Sequence, residues 1–227
     1  MFGNYAGCGY AIYIIGRNVK IMKSKCMQNL AYYIGERHGN DVADKIFGDM
    51  PKCNHFSDGG GHEIIGPWFH KFVKGMDELN DKEFLQNWLI KYSSCGEYKH
   101  LNYLEVLGRF IKECYDKCKT LEEFVDIMQK DERVQRELPK CKLEKNILYC
   151  IRPKQSDKNR GACGKGCHCS LARHADEPIS DIFCYCCVGH DVQPFQMAFG
   201  NDIKVELISS IVCGDKECVT AIHLPAK

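Results

Sequence analysis

The sequence predicts an α+β fold in which N-terminal helices pack with a C-terminal antiparallel sheet and a short helix. Two observations carry this: apolar residues recur at helical spacing up to about residue 140, and the spacing then changes to period two. A third sets the chemistry apart, for six of the 16 cysteines fall between Cys163 and Cys187. Residues 1–140 form the mainly helical region and 141–227 the cysteine-rich, strand-containing region, expected as one integrated domain. A chain of 227 residues, 44% apolar and 27% charged, is long enough to bury such a core.

In chain order, Tyr5, Tyr10 and Tyr13 stand among glycines and suggest no chemistry. Cys26, Leu30, Tyr33 and Ile34 share one face of a helix over Cys26–His38, which Gly39-Asn40 stops and Asp41 follows with a new cap. The loop Ser57-Asp58-Gly59-Gly60-Gly61 lacks the Lys-Ser/Thr of a phosphate loop, and His62-Glu63 after it reads as a mobile surface turn. Phe84, Leu85, Trp88 and Leu89 define a helix over Asp81–Tyr92. Leu104, Leu107, Ile111, Cys114 and Cys118 form the stripe of the next, with the two cysteines one turn apart in core positions. Thr120 with Glu123 is a capping box that opens a helix through Leu121, Phe124, Val125 and Met128. Together these make a bundle of four or five helices.

Beyond Pro139, strands are expected over Asn146–Ile151 and Asp181–Cys187, and a hairpin over Ile203–Val212 and Val219–Leu224 turns at Gly214-Asp215. Val192–Phe199 reads as a short helix closed by Gly200-Asn201.

Several classes are excluded. Lys plus Arg number 31 and Asp plus Glu 30, and a net charge of +1 gives no electrostatic footprint for nucleic acid or anionic membrane. No apolar run reaches 18 residues, so a membrane span is not expected. The patch Tyr10–Ile15 lacks the basic flank of a signal peptide. A cytoplasmic location is therefore expected, where thiols stay reduced and serve as core residues or metal ligands.

The cysteine cluster consists of CGKGCHC and CYCC. Small residues in the first let the backbone fold around an ion, and Arg160 and Arg173 flank it. On a strand, Cys184 and Cys186 face one side and Cys187 the other, and Cys167 and Cys169 can match the first pair. Four thiolates suit a closed zinc site, with an iron–sulfur cluster as the alternative. The plainer reading is a set of packed reduced thiols, and a disulfide pair among them is the remaining alternative. Cys163, Cys187, His168 and His190 are reserve ligands. Cys213 and Cys218 flank the hairpin turn, where packing is the first expectation and a redox or metal pair the second. Cys8, Cys26, Cys53, Cys95, Cys141 and Cys150 are isolated in the sequence and receive no role.

The cysteine segment ending in Val188-Gly189-His190, the helix with Phe195 and Phe199-Gly200, the strand Val205-Glu206-Leu207-Ile208-Ser209-Ser210 and the turn Gly214-Asp215 with Cys218 carry a resemblance. The block Cys184–Leu224 resembles the vinyl-reductase-type (4-vinyl reductase) small-molecule-binding domain, and more closely an uncharacterised bacterial cysteine-rich family with the same block. The resemblance implies helices on an antiparallel sheet, an apolar cavity between them, and a homodimer. It also implies a metal held by Cys167, Cys169, Cys184 and Cys186. The chain departs from the larger domain family at Val219, Thr220 and Ala221, where a bulky aromatic is usual, so no catalytic residue transfers.

The functional expectation is a cytoplasmic, metal-containing protein, zinc first, that binds or senses a small molecule, with Trp68, Trp88, Phe195 and Phe199 as candidate cavity walls. The alternatives are a hydrolase or reductase acting on a small organic molecule, with His190 or Glu206 as base, an iron–sulfur protein, and a zinc-stabilised interaction module.

Overall fold

The computed structural model describes residues 14–15, 18–19, 25–48, 50, 62–92, 99–138, 140–155, 166–169 and 171–227. Cys163, Arg160, the glycine loop 57–61 and most of the first 20 residues lie outside the described set. A short ladder of β1 (Ile14–Ile15) and β2 (Asn18–Val19) precedes the helices. These are α1 (Lys25–His38), α2 (Asn40–Phe47), α3 (His62–Glu78), α4 (Lys82–Tyr92), α5 (Lys99–Lys117), α6 (Leu121–Met128) and α7 (Glu132–Glu137). The strands β3 (Cys141–Glu144) and β4 (Ile147–Pro153), then α8 (Tyr185–Phe199), β5 (Val205–Ser209) and β6 (Glu217–His223) complete the chain. The sheet is antiparallel in the order β3-β4-β6-β5, so the α+β class holds with the sheet C-terminal to the helices.

Buried apolar residues gather in two clusters. The first joins α1 to α4, through Leu30, Ile34, Phe69, Phe72 and Met76, with the C-terminal segment through Phe183 and Val212. The second lies between α5, α6, α8 and the sheet and includes Ile111, Phe124, Leu148, Phe195 and Ile222. Helix α8 enters both, with Cys186 in the first and Val192, Phe195 and Ala198 in the second. The stripe positions Leu107, Ile111, Cys114 and Cys118 all face the second cluster, as their spacing of three and four requires. At the start of α6, Thr120 Oγ1 accepts from the Glu123 N–H at 3.2 Å, while the Glu123 carboxylate takes the Lys119 N–H at 2.8 Å. His62 and Glu63 open α3 rather than forming a surface turn.

Among the described residues seven helices, not four or five, precede β3, and Asp41 lies inside α2, whose N-cap is Gly39. Three further elements differ from expectation. Asp181–Cys187 is a 3-10 turn, Asp181–Cys184, that runs into α8 and not a strand. Ser180 Oγ caps this turn by accepting from the Ile182 N–H at 3.3 Å. Helix α8 also lies against α4 so closely that a Cβ at Gly189 would stand 2.5 Å from the Ile90 carbonyl oxygen. The helix starts at Tyr185, seven residues before the expected Val192. The first hairpin strand also ends early, at Ser209, after a bulge between Leu207 and Ser209. Residues Ile211–Cys213 then make a 3-10 turn closed by left-handed Gly214, whose φ is 103°. Finally, β3 was not expected at all, and it pairs Cys141 directly with Cys150.

Candidate functional site

Three segments bring cysteines to the edge of the first cluster. Residues 166–169 are pinned to the end of β4: the Gln155 N–H donates to the Gly166 carbonyl at 2.9 Å, and a Cβ on Gly166 would lie 2.8 Å from Lys154 Cβ. Cys167 and Cys169 are buried there, at 4% and 6% exposure. His168 between them turns to β4, with Nε2 2.8 Å from the Pro153 carbonyl and Nδ1 2.9 Å from Gln155 Nε2. It anchors the segment and does not join the thiols.

The second segment is the 3-10 turn into α8, and the third is the β5–β6 connection. Ser210 is 2% exposed, and its backbone is held by the turn: its N–H donates to Asp215 Oδ2 at 2.8 Å, and its carbonyl accepts from the Cys213 N–H at 3.0 Å. The Ser210 hydroxyl lies 3.0 Å from Cys184 Sγ and also hydrogen-bonds with Cys213 and Cys218. Cys184 is in side-chain hydrogen-bond contact with Cys213, and Cys167 with Cys218. Cys213 Sγ also donates to the Ile179 carbonyl at 3.5 Å, and Cys218 Sγ accepts from the Ile211 N–H at 3.4 Å. The geometry is thus two dithiol pairs that meet on one buried hydroxyl.

The pairs are electrostatically asymmetric. The bond from Cys184 lowers the Cys213 thiol to about 7 against the opposing effect of burial, and the bond from Cys167 does the same for Cys218, also to about 7. Their partners move the other way, since the bond to Cys213 and then burial push Cys184 well up, and the bond to Cys218 and then burial raise Cys167. In each pair the deeper thiol keeps its proton and donates it to the sulfur of the other.

Of the four ligands expected, Cys167 and Cys184 lie in this cluster, and Cys169 adjoins Cys167. Cys186 does not share the side of Cys184, because two residues on a helix turn through about 200°. It packs into the first core at 3% exposure. Cys187, three positions after Cys184, returns to the same side and interacts electrostatically with both Cys184 and Cys167. Cys213 and Cys218 do not form a pair across the strands, for each takes a different partner from another part of the chain. Among the described residues, no three His, Cys, Asp or Glu side chains already surround a common point as a bound ion requires.

A buried ionic network adjoins the cluster. Arg152, opposite Cys218 in the β4–β6 ladder, pairs with Asp191 of α8, their side chains 14% and 3% exposed. Asp191 also accepts from Thr220 Oγ1 at 2.9 Å, and Arg152 donates to the Glu137 carbonyl. Burial works to lower the Arg152 guanidinium, but the charge and hydrogen bond of Asp191 outweigh it and, with Cys187 and Cys150 also facing the cation, hold it raised. The two candidate bases are engaged elsewhere. His190 Nε2 lies 2.9 Å from the Glu137 carboxylate, and Glu206 lies 2.6 Å from His223, five residues or about 17 Å along β6 from Cys218.

The expected aromatic walls fall in different core clusters. Trp68 and Trp88 lie in the first cluster, whereas Phe195 lies in the second and Phe199 packs on it. A cavity of about 310 Å³ lies between α1, α2 and α3, lined by His38, Val42, Ile46 and Glu78, and another of about 420 Å³ lies by Thr120, Asn146 and Lys227. Neither touches the thiols. Ser210 and the Arg152–Asp191 pair were not anticipated, and no local spacing announces them.

Fold and site together define a cysteine-rich α+β protein with a polar thiol seam between sheet and helices, and no described helix is long and apolar enough to cross a membrane. A family model described as a family of unknown function (DUF6144) matches residues 163–227, the stretch that holds every cysteine of the seam. No curated protein and no solved structure matches the chain.

Proposed function

We propose that this chain is a cytoplasmic thiolate metal protein, with zinc as its ion, whose metal occupancy acts as a sensor through the seam around Ser210. The observation that carries the reading is the convergence of Cys184, Cys213 and Cys218 on one buried hydroxyl, with Cys167 bonded to Cys218, so that three segments meet there. Four thiols match the donor number of a closed zinc site, and an ion would replace the protons that now bridge each pair. Cys167 and Cys184 carry over from the expected set, and Cys213 and Cys218 take the places of Cys169 and Cys186. Because the donors hold the segment 166–169, the start of α8 and the β5–β6 turn, ion binding is coupled to the order of all three. The resemblance to the vinyl-reductase-type domain supports a small-molecule ligand and a homodimer as parts of the same reading.

A second reading, a dithiol redox protein, is favoured by the pairwise contacts of Cys184 with Cys213 and Cys167 with Cys218. Elemental analysis of the anaerobically purified full chain, with a visible spectrum of the same sample, separates the readings. One zinc per chain without colour is the expected result. Iron with a brown chromophore replaces zinc by an iron–sulfur cluster. A metal-free chain that takes up no added zinc overturns the metal reading in favour of the dithiol one.

A further inference from the structure

Cys141 and Cys150 stand apart from the seam, on the β3–β4 hairpin, and face one another directly in the ladder. The Ile151 N–H donates to the Lys140 carbonyl at 2.8 Å, so Lys140 and Ile151 are a hydrogen-bonded pair. The alternation of an antiparallel ladder then makes Cys141 and Cys150 a non-hydrogen-bonded pair, in which the Cα atoms approach to about 4.5 Å. That separation lies inside the range of about 4.4–6.8 Å that a disulfide spans. The sulfurs are already 4.0 Å apart, and rotation of the two side chains closes that gap without a backbone shift. Cys150 is 1% exposed behind the sheet, whereas Cys141 is half-buried on β3, the edge strand of the order β3-β4-β6-β5. Cys141 is held in register by its N–H, which donates to the Gln129 side-chain oxygen at 3.0 Å.

We propose that Cys141 and Cys150 are a redox modification site, a cross-strand dithiol that closes to a disulfide when it meets a low-molecular-weight disulfide such as oxidised glutathione. The Cys141 thiolate attacks one sulfur of the oxidant, forms a mixed disulfide and releases one glutathione thiolate. Cys150 then gives up its proton and attacks Cys141 Sγ, forming the protein disulfide and releasing the second glutathione thiolate. Two protein thiols are oxidised and one small disulfide is reduced to two thiols. The bond ties the sheet edge to β4 at the strand that also carries Arg152, and it needs no metal, so the site stands or falls independently of the seam.

The test is peptide mass mapping of the folded full chain after equilibration with oxidised glutathione and blocking of the remaining thiols with N-ethylmaleimide. The expected product is a crosslinked pair of peptides joining Cys141 to Cys150, lighter by two hydrogens and restored by dithiothreitol. Cys150→Ser then stops at the first step and accumulates one glutathione on Cys141. Full alkylation of both cysteines in the wild-type chain, or crosslinks that join either one to a different cysteine, overturns the proposal; the wild-type arm requires no variant to fold.

Discussion

Cys114 on α5 and Cys118 just past its end sit one turn apart at 7% and 6% exposure, among Leu107, Ile111 and Phe124, and burial raises both thiols. Cys167 is buried like them, Cys184 and Cys218 are half-buried and Cys213 is exposed; these four come from three segments, Cys184, Cys213 and Cys218 share the hydroxyl of Ser210 while Cys167 reaches it through Cys218, and Cys213 and Cys218 are lowered. Burial does not account for the lowered pair, since it pushes Cys213 and Cys218 upward just as it does Cys114 and Cys118. The polar partners brought by tertiary structure do, because a thiolate is tolerable only where a donor meets it. Arg152 stands between the two regions, its charge facing Cys187 of the seam side and Cys150 of the second core.

Breaking that strut tests the contrast most severely. Asp191→Ala leaves the buried Arg152 cation without its carboxylate, and chemical denaturation is expected to show a loss of about 3–5 kcal/mol. A loss under ~1 kcal/mol would mean that water reaches the guanidinium and that the two regions are not joined there. Ser210→Ala removes the shared hydroxyl at a smaller expected cost, about 1–2 kcal/mol in metal-free protein, since the sulfurs keep one another. The same denaturation experiment reads it, and a neutral result would make the hydroxyl a bystander.

Cys114→Ala sharpens the comparison from the other side. It deletes one buried sulfur from an apolar stripe and is expected to cost about 1 kcal/mol with no change in bound metal. Reduced metal content would move the boundary between the two thiol sets. The smallest effect lies outside both regions, where Arg37 of α1 binds Asp81 at the start of α4. The hydrogen bond from Arg37 holds the Asp81 carboxyl below its ordinary 3.8, so its contribution is present above that value and fades as pH falls through the depressed one. An acid titration of melting temperature is expected to differ between wild type and Asp81→Asn through that window, and superimposable curves would show the pair to be idle.

The helical half was legible because its signals are local. Thr120 and Glu123 are three residues apart, and the stripe from Leu107 to Cys118 obeys the helical period, so both are found where the sequence put them. The CYCC segment misled because alternation over a few residues cannot distinguish a strand from the first turn of a buried helix. The packing partner of this helix is just as remote, for Gly189 fits onto Ile90, about 100 positions upstream. Strand β3 escaped notice because Cys141-Lys142-Leu143-Glu144 is short and half charged, although its alternation was there to read. The partners at the seam were beyond any local spacing, for Cys184 and Cys213 are 29 positions apart and Cys167 and Cys218 are 51.

The central claim, that tertiary partners and not burial set these thiols apart, is tested most directly by a zinc-protection footprint. Each cysteine of the chelator-stripped full chain is alkylated under reducing conditions with and without one equivalent of zinc, and its rate is read by quantitative peptide mass spectrometry. The account predicts that zinc slows alkylation at Cys167, Cys184, Cys213 and Cys218 and leaves Cys114, Cys118 and Cys150 unchanged. Protection that is absent, uniform, or concentrated on Cys114 and Cys118 would contradict it.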